Sequence, residues 1–227
     1  YLKLYQEPKR RIRWLTRQEA ERLIAALPPY MADMAVFSLA TGLRQRNVLD
    51  LEWQQLDLSA RTAWIHASDS KSGRAIGVAL NDTAVAVLSK QMGKHPRFVF
   101  TQPNGRKVLS ISSRIWKNAL VKAEITDFRW HDLRHTWASW LIQAGVPLAA
   151  LQEMGGWESI EMVRRYAHLS AEHLQNHAAL LDRMGLADGT NLAHLEKGKE
   201  KVISQVVDLY GGPGRFRTDD QGIMSPL

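Results

Sequence analysis

Residues 131–169, HDLRHTWASWLIQAGVPLAALQEMGGWESIEMVRRYAHL, gather the side chains best suited to chemistry on an anion. His131, Arg134 and His135 stand at i, i+3 and i+4, and a helix of about 3.6 residues per turn puts all three on one face. Arginine's planar fork donates paired hydrogen bonds and keeps its charge, while histidine exchanges protons near neutrality. Downstream, Trp157 follows Gly155-Gly156, and Tyr166 lies among Arg164, Arg165 and His168. Such a cluster could grip a phosphodiester while Tyr166 attacks it, if the surrounding cations favour a phenolate. The bare residues leave other uses open. His131 and His135 also have the spacing of a zinc pair, although no third ligand stands out and Arg134 would repel a cation. The basic residues around Tyr166 would look the same on a solvated helix face.

The helix that carries the first three residues needs a core behind it. Leu133, Trp137, Trp140, Leu141 and Ala144 form its opposite, apolar face, so it should lie with one side packed and the other open. Upstream, Thr16-Arg17-Gln18-Glu19 is a capping box that starts a helix with Leu23, Ile24 and Leu27 inward, ended by Pro28-Pro29. A second helix, from about Tyr30 to Ala40, is apolar almost all round and should be buried. Thr41-Gly42-Leu43-Arg44 breaks it and begins another, with Val48, Leu49 and Leu51 inward. The period then changes. Residues 62–67 and 75–80 read as a hairpin around the polar loop 68–74, and residues 97–100 as a third strand before a Pro103-Asn104-Gly105 turn. A helix containing Val85, Val87 and Leu88 separates them. From Ser112 onward helix follows helix, with breaks near Thr126, Gly145-Val146-Pro147, Gly155-Gly156 and Gly185. The fold class expected is mixed α+β, mostly α-helical, with a small antiparallel sheet of about three strands.

The chain's 227 residues, 45% of them hydrophobic and eight of them tryptophan, suffice for a substantial core. Thirty Lys and Arg against 23 Asp and Glu leave a net charge of +7, which favours a polyanionic partner. The absence of cysteine excludes disulfides and a thiol nucleophile. No apolar run approaches a membrane span and no signal peptide is visible, so the expected location is cytoplasmic. Because the chain starts on Tyr1 and a basic stretch, residues 1–15 are expected to be a linker from an upstream domain. Residues 16–185 then form the catalytic domain, and residues 186–227 a partly flexible extension.

Five ordered elements resemble those of one known family. T-G-L-R at 41–44, Lys71 in the hairpin loop, H-D-L-R-H at 131–135, G-W at 156–157 and Y-A-H-L at 166–169 are similar to the catalytic domain of the tyrosine recombinases, the phage-integrase type of site-specific recombinase. Trp157 lies 23 residues after Arg134, and Tyr166 nine after Trp157, as that family would have them. The likeness covers roughly residues 13–183. It implies that Arg44 and Arg134 clamp the scissile phosphate and that Tyr166 is the nucleophile, leaving a 3′-phosphotyrosyl link. It further implies that Lys71 protonates the leaving 5′ oxygen, that His131 assists proton transfer at the nucleophile, and that Trp157 donates its indole N–H to a phosphate oxygen. The implied partner is double-stranded DNA at attachment sites. The implied assembly is a tetramer on paired sites, with the free domain a monomer and with no metal or other cofactor. Leu174, Leu181 and Met184, or residues 202–210, are candidates for packing between subunits. Alternatives on the same scaffold are a type IB topoisomerase-like nicking and closing enzyme, or a DNA-binding regulator without catalysis. Two positions depart from the family pattern. Trp157 stands where histidine is usual, and Asn47 where an acidic residue is frequent.

Overall fold

In a computed structural model the described residues are 12–67, 75–170 and 179–180. They divide between a compact unit spanning Tyr1–Gln175 and a second, Asn176–Leu227, of which only 179–180, both helical, are described. Lys71, most of the expected linker, and the candidate subunit contacts at 174, 181, 184 and 202–210 lie outside the described residues, as does the extension 186–227.

Local signals fix the first helices. In α1 (Arg17–Ala26) Thr16 and Glu19 close the capping box reciprocally, and Ala20 and Leu23 turn inward. Helix α2 (Pro29–Thr41) starts with proline in its first turn, where a missing N–H costs nothing. It is buried along most of its length, through Met31, Met34, Ala35, Phe37 and Leu39. Its two inward hydroxyls are satisfied within the helix, Ser38 donating to the Met34 carbonyl and Thr41 to the Phe37 carbonyl. Gly42, with φ 67°, ends it in the left-handed conformation. Helix α3 (Gln45–Leu49) follows at once, with Val48 and Leu49 buried.

The sheet has three antiparallel strands in the order β1 (Leu56–Asp57), β2 (Thr62–Ile65) and β3 (Ile76–Ala79). Leu56 pairs with Ala63, and Ala63 with Val78. Alternation sends Ala63, Ile65, Ile76 and Val78 into the core and leaves Trp64 outside. The third strand is therefore Leu56–Asp57 and not residues 97–100, which only bridge Phe98 to Glu52. The reason is local. Nδ1 of His95 accepts from the N–H groups of both Arg97 and Phe98, so a turn consumes the donors that a ladder would need.

Helices α4 (Asp82–Gln91) and α5 (Ser113–Lys122) are capped by Asn81 and Ser112, whose side chains accept from Ala84 and Ile115 N–H. Helices α6 (Asp132–Gln143), α7 (Leu148–Gly155) and α8 (Glu161–Arg164) then complete the unit. Among the described residues no helix is long and apolar enough to cross a membrane.

Helix α6 lies between two apolar clusters, and this corrects the expectation of one open face. Leu133 belongs to the large core built with α1–α5 and the sheet. Trp137, Ala138 and Ile142 belong to a smaller one with Leu151, Val163 and Tyr166. Thr136 and Ser139 are fully buried as well, and Trp140 and Leu141 partly so. Thr136 also ties α6 to the start of the described chain. Its hydroxyl donates to the Asp132 carbonyl and accepts from Leu15 N–H at 3.1 Å, while Trp140 Nε1 donates to the Leu15 carbonyl. Replacing Thr136 by valine should strand that N–H and cost about 1–3 kcal/mol. The expected fall in the thermal midpoint is roughly 2–4 °C per kcal/mol. An unchanged midpoint would show that the tether carries no stability.

Candidate active site

The side chain at the centre of the site is Arg134, only 6% exposed. Its Nη1 donates to the Gly42 carbonyl at 2.7 Å and its Nη2 to the Gly155 carbonyl at 2.5 Å. Gly42 caps α2 and Gly155 is the last residue of α7. Carbonyls at helix C-termini lack intrahelical partners and lie at the negative end of the dipole, so a buried cation suits them. A third side of the guanidinium is covered by the Trp157 ring, 4.1 Å away, which in turn stacks on Trp137. Burial, then the nearby Arg44, lowers the Arg134 pKa to about 10, with Tyr166 opposing, so the group is charged at neutral pH. Among the described residues two of its five N–H groups are used, leaving three to donate.

Two glycines permit this packing. A Cβ on Gly42 would lie 2.3 Å from the Trp137 ring, and one on Gly155 would lie 1.9 Å from the Trp157 ring. Neither ring can retreat without releasing the other or the guanidinium. Gly156, with φ 60°, then turns the chain beside Ile76 of β3. A cleft of about 420 Å³ opens there, lined by Ile76, Gly77, Gln152, Glu153, Trp157 and Glu158.

Arg44 occupies the extended residue that starts α3. Burial lowers its pKa, and Glu158 opposes that shift. Its Nη1 is buried and, among the described residues, has no hydrogen-bond partner. Nor does a salt bridge reach either arginine among those residues. Asp132 is occupied elsewhere, its Oδ2 accepting from Arg129 N–H at 2.7 Å. Arg44, with its orphaned donor, thus lies near enough to lower the Arg134 pKa, and an anion bound between them would neutralise both.

Tyr166 is docked on this cluster, 1% exposed, with its ring 6.1 Å from that of Trp157. Its hydroxyl lies 2.6 Å from Nδ1 of His135. His131, at the exposed N-cap of α6, is one ring further out, 5.1 Å from His135 and edge-on to it. Burial pushes the Tyr166 pKa up to about 12, outweighing the opposing pull of Arg134 and Arg165. The condition that surrounding cations favour a phenolate is therefore not met in the resting site. Burial likewise lowers His135 to about 4, helped by His131 and opposed by Asp132, and lowers His131 too.

The fold thus brings Arg44, His131, Arg134, Trp157 and Tyr166 together. It also adds His135, which the sequence had placed on the same face without a task in phosphate chemistry. A three-residue period, Val163, Tyr166 and Leu169, already pointed Tyr166 inward: Val163 is buried and Leu169 partly so. Among the described residues no three such side chains could hold a metal ion, so His131 and His135 find no third ligand.

The sequence model described as the phage integrase family matches residues 13–173. An integrase of Salmonella phage P22 is 51% identical over 211 residues, covering 88% of this chain and 54% of the relative. The tyrosine recombinase XerC of Bacillus subtilis is 27% identical over 189 residues, covering 76% and 62%. The chain thus spans roughly half to three-fifths of these relatives' length. The solved catalytic domain of bacteriophage HP1 integrase superposes with a TM-score of 0.57 at 26% identity, covering 74% of this chain and 94% of that one. The Tn1549 transposon integrase, solved with a circular intermediate DNA, gives 0.62 at 19% identity over 76% and 68%.

The site makes stability depend on pH with a definite sign. Above the ordinary histidine value of 6.5 both folded and unfolded chains hold a neutral His135. Below it the unfolded chain takes up a proton that the folded chain refuses until about 4, so stability is lost as pH falls through that window. Denaturant titrations should show this fall, and His135→Asn should flatten part of it, leaving the share due to His131. A wild-type profile flat over the window would contradict the burial of His135.

Proposed function

We propose that this chain, which belongs to the phage integrase family, is the DNA-breaking and rejoining portion of a site-specific recombinase. The observation that carries the reading is a pair of arginines that no salt bridge reaches among the described residues, beside a docked tyrosine. Among those residues Arg134 is fixed with three N–H groups to spare, and Arg44 has a buried donor without a partner. A phosphodiester would satisfy both, and their charge would stabilise the added negative charge of a five-coordinate phosphorus. Trp157, already against Arg134, would add its indole N–H to a phosphate oxygen.

In this reading the Tyr166 hydroxyl oxygen bonds to phosphorus as the bond to the 5′ oxygen breaks. The DNA is left with a 3′-phosphotyrosyl link and a free 5′-hydroxyl. Lys71 would give the leaving oxygen its proton, and His131, at the open end of α6, would receive the proton lost by the phenol. Attack by the 5′-hydroxyl of a partner strand reverses the step and releases the tyrosine. The bond energy is kept throughout. Attachment sites in double-stranded DNA would be the substrate and a tetramer on paired sites the working assembly, with the chain's net charge of +7 supporting a hold on the phosphate backbone.

Nicked suicide duplexes, drawn from a pool randomised around the nick, should leave a covalent protein–DNA adduct that maps to Tyr166 by peptide mass spectrometry. Tyr166→Phe should abolish the adduct, and Arg44→Ala should slow its formation by about a hundredfold or more. An adduct that persists in Tyr166→Phe, or wild-type rates in Arg44→Ala, would refute these assignments.

A further inference from the structure

The hydroxyl of Tyr166 needs a partner. The tyrosine follows α8, a helix of only four residues, and its ring is packed among Trp137, Leu151 and Val163. Apolar packing sets how deep the ring sits, but it neither satisfies a buried hydroxyl nor fixes its direction. Nδ1 of His135 does both, at 2.6 Å, with the two rings 5.9 Å apart. The histidine lies at the end of the first turn of α6, one turn after His131, whose ring meets its own edge-on at 5.1 Å.

We propose that His135 is a positioning residue whose Nδ1 holds the protonated Tyr166 hydroxyl at the arginine pair before DNA binds. The proposal rests on the recombinase reading for calling Tyr166 a nucleophile. The contact itself does not. The charged and titratable groups facing the pair are His131, Asp132 and Arg134 on α6, with Arg165 from the turn after α8. Three of these four disfavour an imidazolium at His135. A phenol near 12 does not pass its proton to an imidazole near 4, so the pair rests as neutral donor and neutral acceptor. That separates His135 from a general base, whose pKa would lie near the working pH. In the proposed arrangement Nδ1 accepts the bond from the phenol, which requires the tautomer with its ring proton on Nε2. The nucleophile is thereby kept in register and unreactive until a phosphate arrives.

Two substitutions and two readouts test this. Asparagine at 135 can place an amide oxygen near the position of Nδ1 and accept the hydrogen bond, but it cannot take up a proton. Alanine can do neither. The first readout is nitration of the DNA-free protein by tetranitromethane, followed residue by residue with mass spectrometry. Tyr166 should be protected in the wild type and in His135→Asn, and should become reactive in His135→Ala. The second is the single-turnover rate of adduct formation on the nicked duplex pool. His135→Ala should be slower by about a hundredfold, the order expected when a reacting atom is misplaced by about an ångström. His135→Asn should recover to within about tenfold of wild type, and thermal melts should show both variants folded. Full protection of Tyr166 in a folded His135→Ala would overturn the proposal. So would a folded His135→Asn as slow as the alanine variant, because the ring would then be needed for more than holding. If the wild type forms no adduct on any duplex, the recombinase reading fails, and the nitration readout alone still decides whether His135 holds the tyrosine.

Discussion

The structure depends on one buried cation. Taking a guanidinium out of water costs several kcal/mol, and a lone buried charge would simply be excluded. Arg134 is retained because two helices end against it. The C-terminal carbonyls of α2 and α7 receive its N–H groups, and an indole face covers the plane. Much of the surrounding sequence serves this contact. Gly42 and Gly155 keep a Cβ out of the path of Trp137 and Trp157, and α6 carries the arginine at a depth fixed by Leu133 and Trp137.

That arrangement has electrostatic consequences. The carbonyls supply partial negative charge, and among the described residues no salt bridge reaches Arg134 or Arg44, although Glu158 is near enough to favour the charge on Arg44. The site keeps its positive potential while remaining largely dry. The same dryness governs the neighbouring titratable groups. Burial prevails over the pull of the arginines on Tyr166 and lowers both histidines, so Tyr166 and its hydrogen-bond partner His135 rest uncharged. Charge is concentrated on the two arginines that suit a phosphate and withheld from Tyr166 and His135.

Much of this was legible in the chain itself, and the part that was not has physical reasons. Caps and breaks are local, so Thr16, Pro28, Gly42 and Ser112 marked helix ends where the structure has them. The third strand was misplaced because Leu56–Asp57 is too short to show a period, while the apolar stretch 97–100 imitates one that His95 turns aside. The order and spacing of Arg44, His131, Arg134, Trp157 and Tyr166 marked the site. The partners of Arg134 were invisible, because they are backbone carbonyls and carry no signature in residue type. Whether the cations around Tyr166 favour a phenolate was not legible, because cations are visible in sequence and burial is not. The inward spacing of Val163, Tyr166 and Leu169 held the hint.

The claim that Arg134 is pinned at two helix ends can be read directly from its guanidinium by NMR in the DNA-free protein. A group held at two carbonyls and stacked under an indole cannot rotate freely about its Cζ–Nη bonds. The spectrum should show separate, slowly exchanging Hη resonances for Arg134 that persist at neutral pH. A single averaged Hη signal in rapid exchange with water would mean that the arginine is loose, and the account of the site built on it would fail.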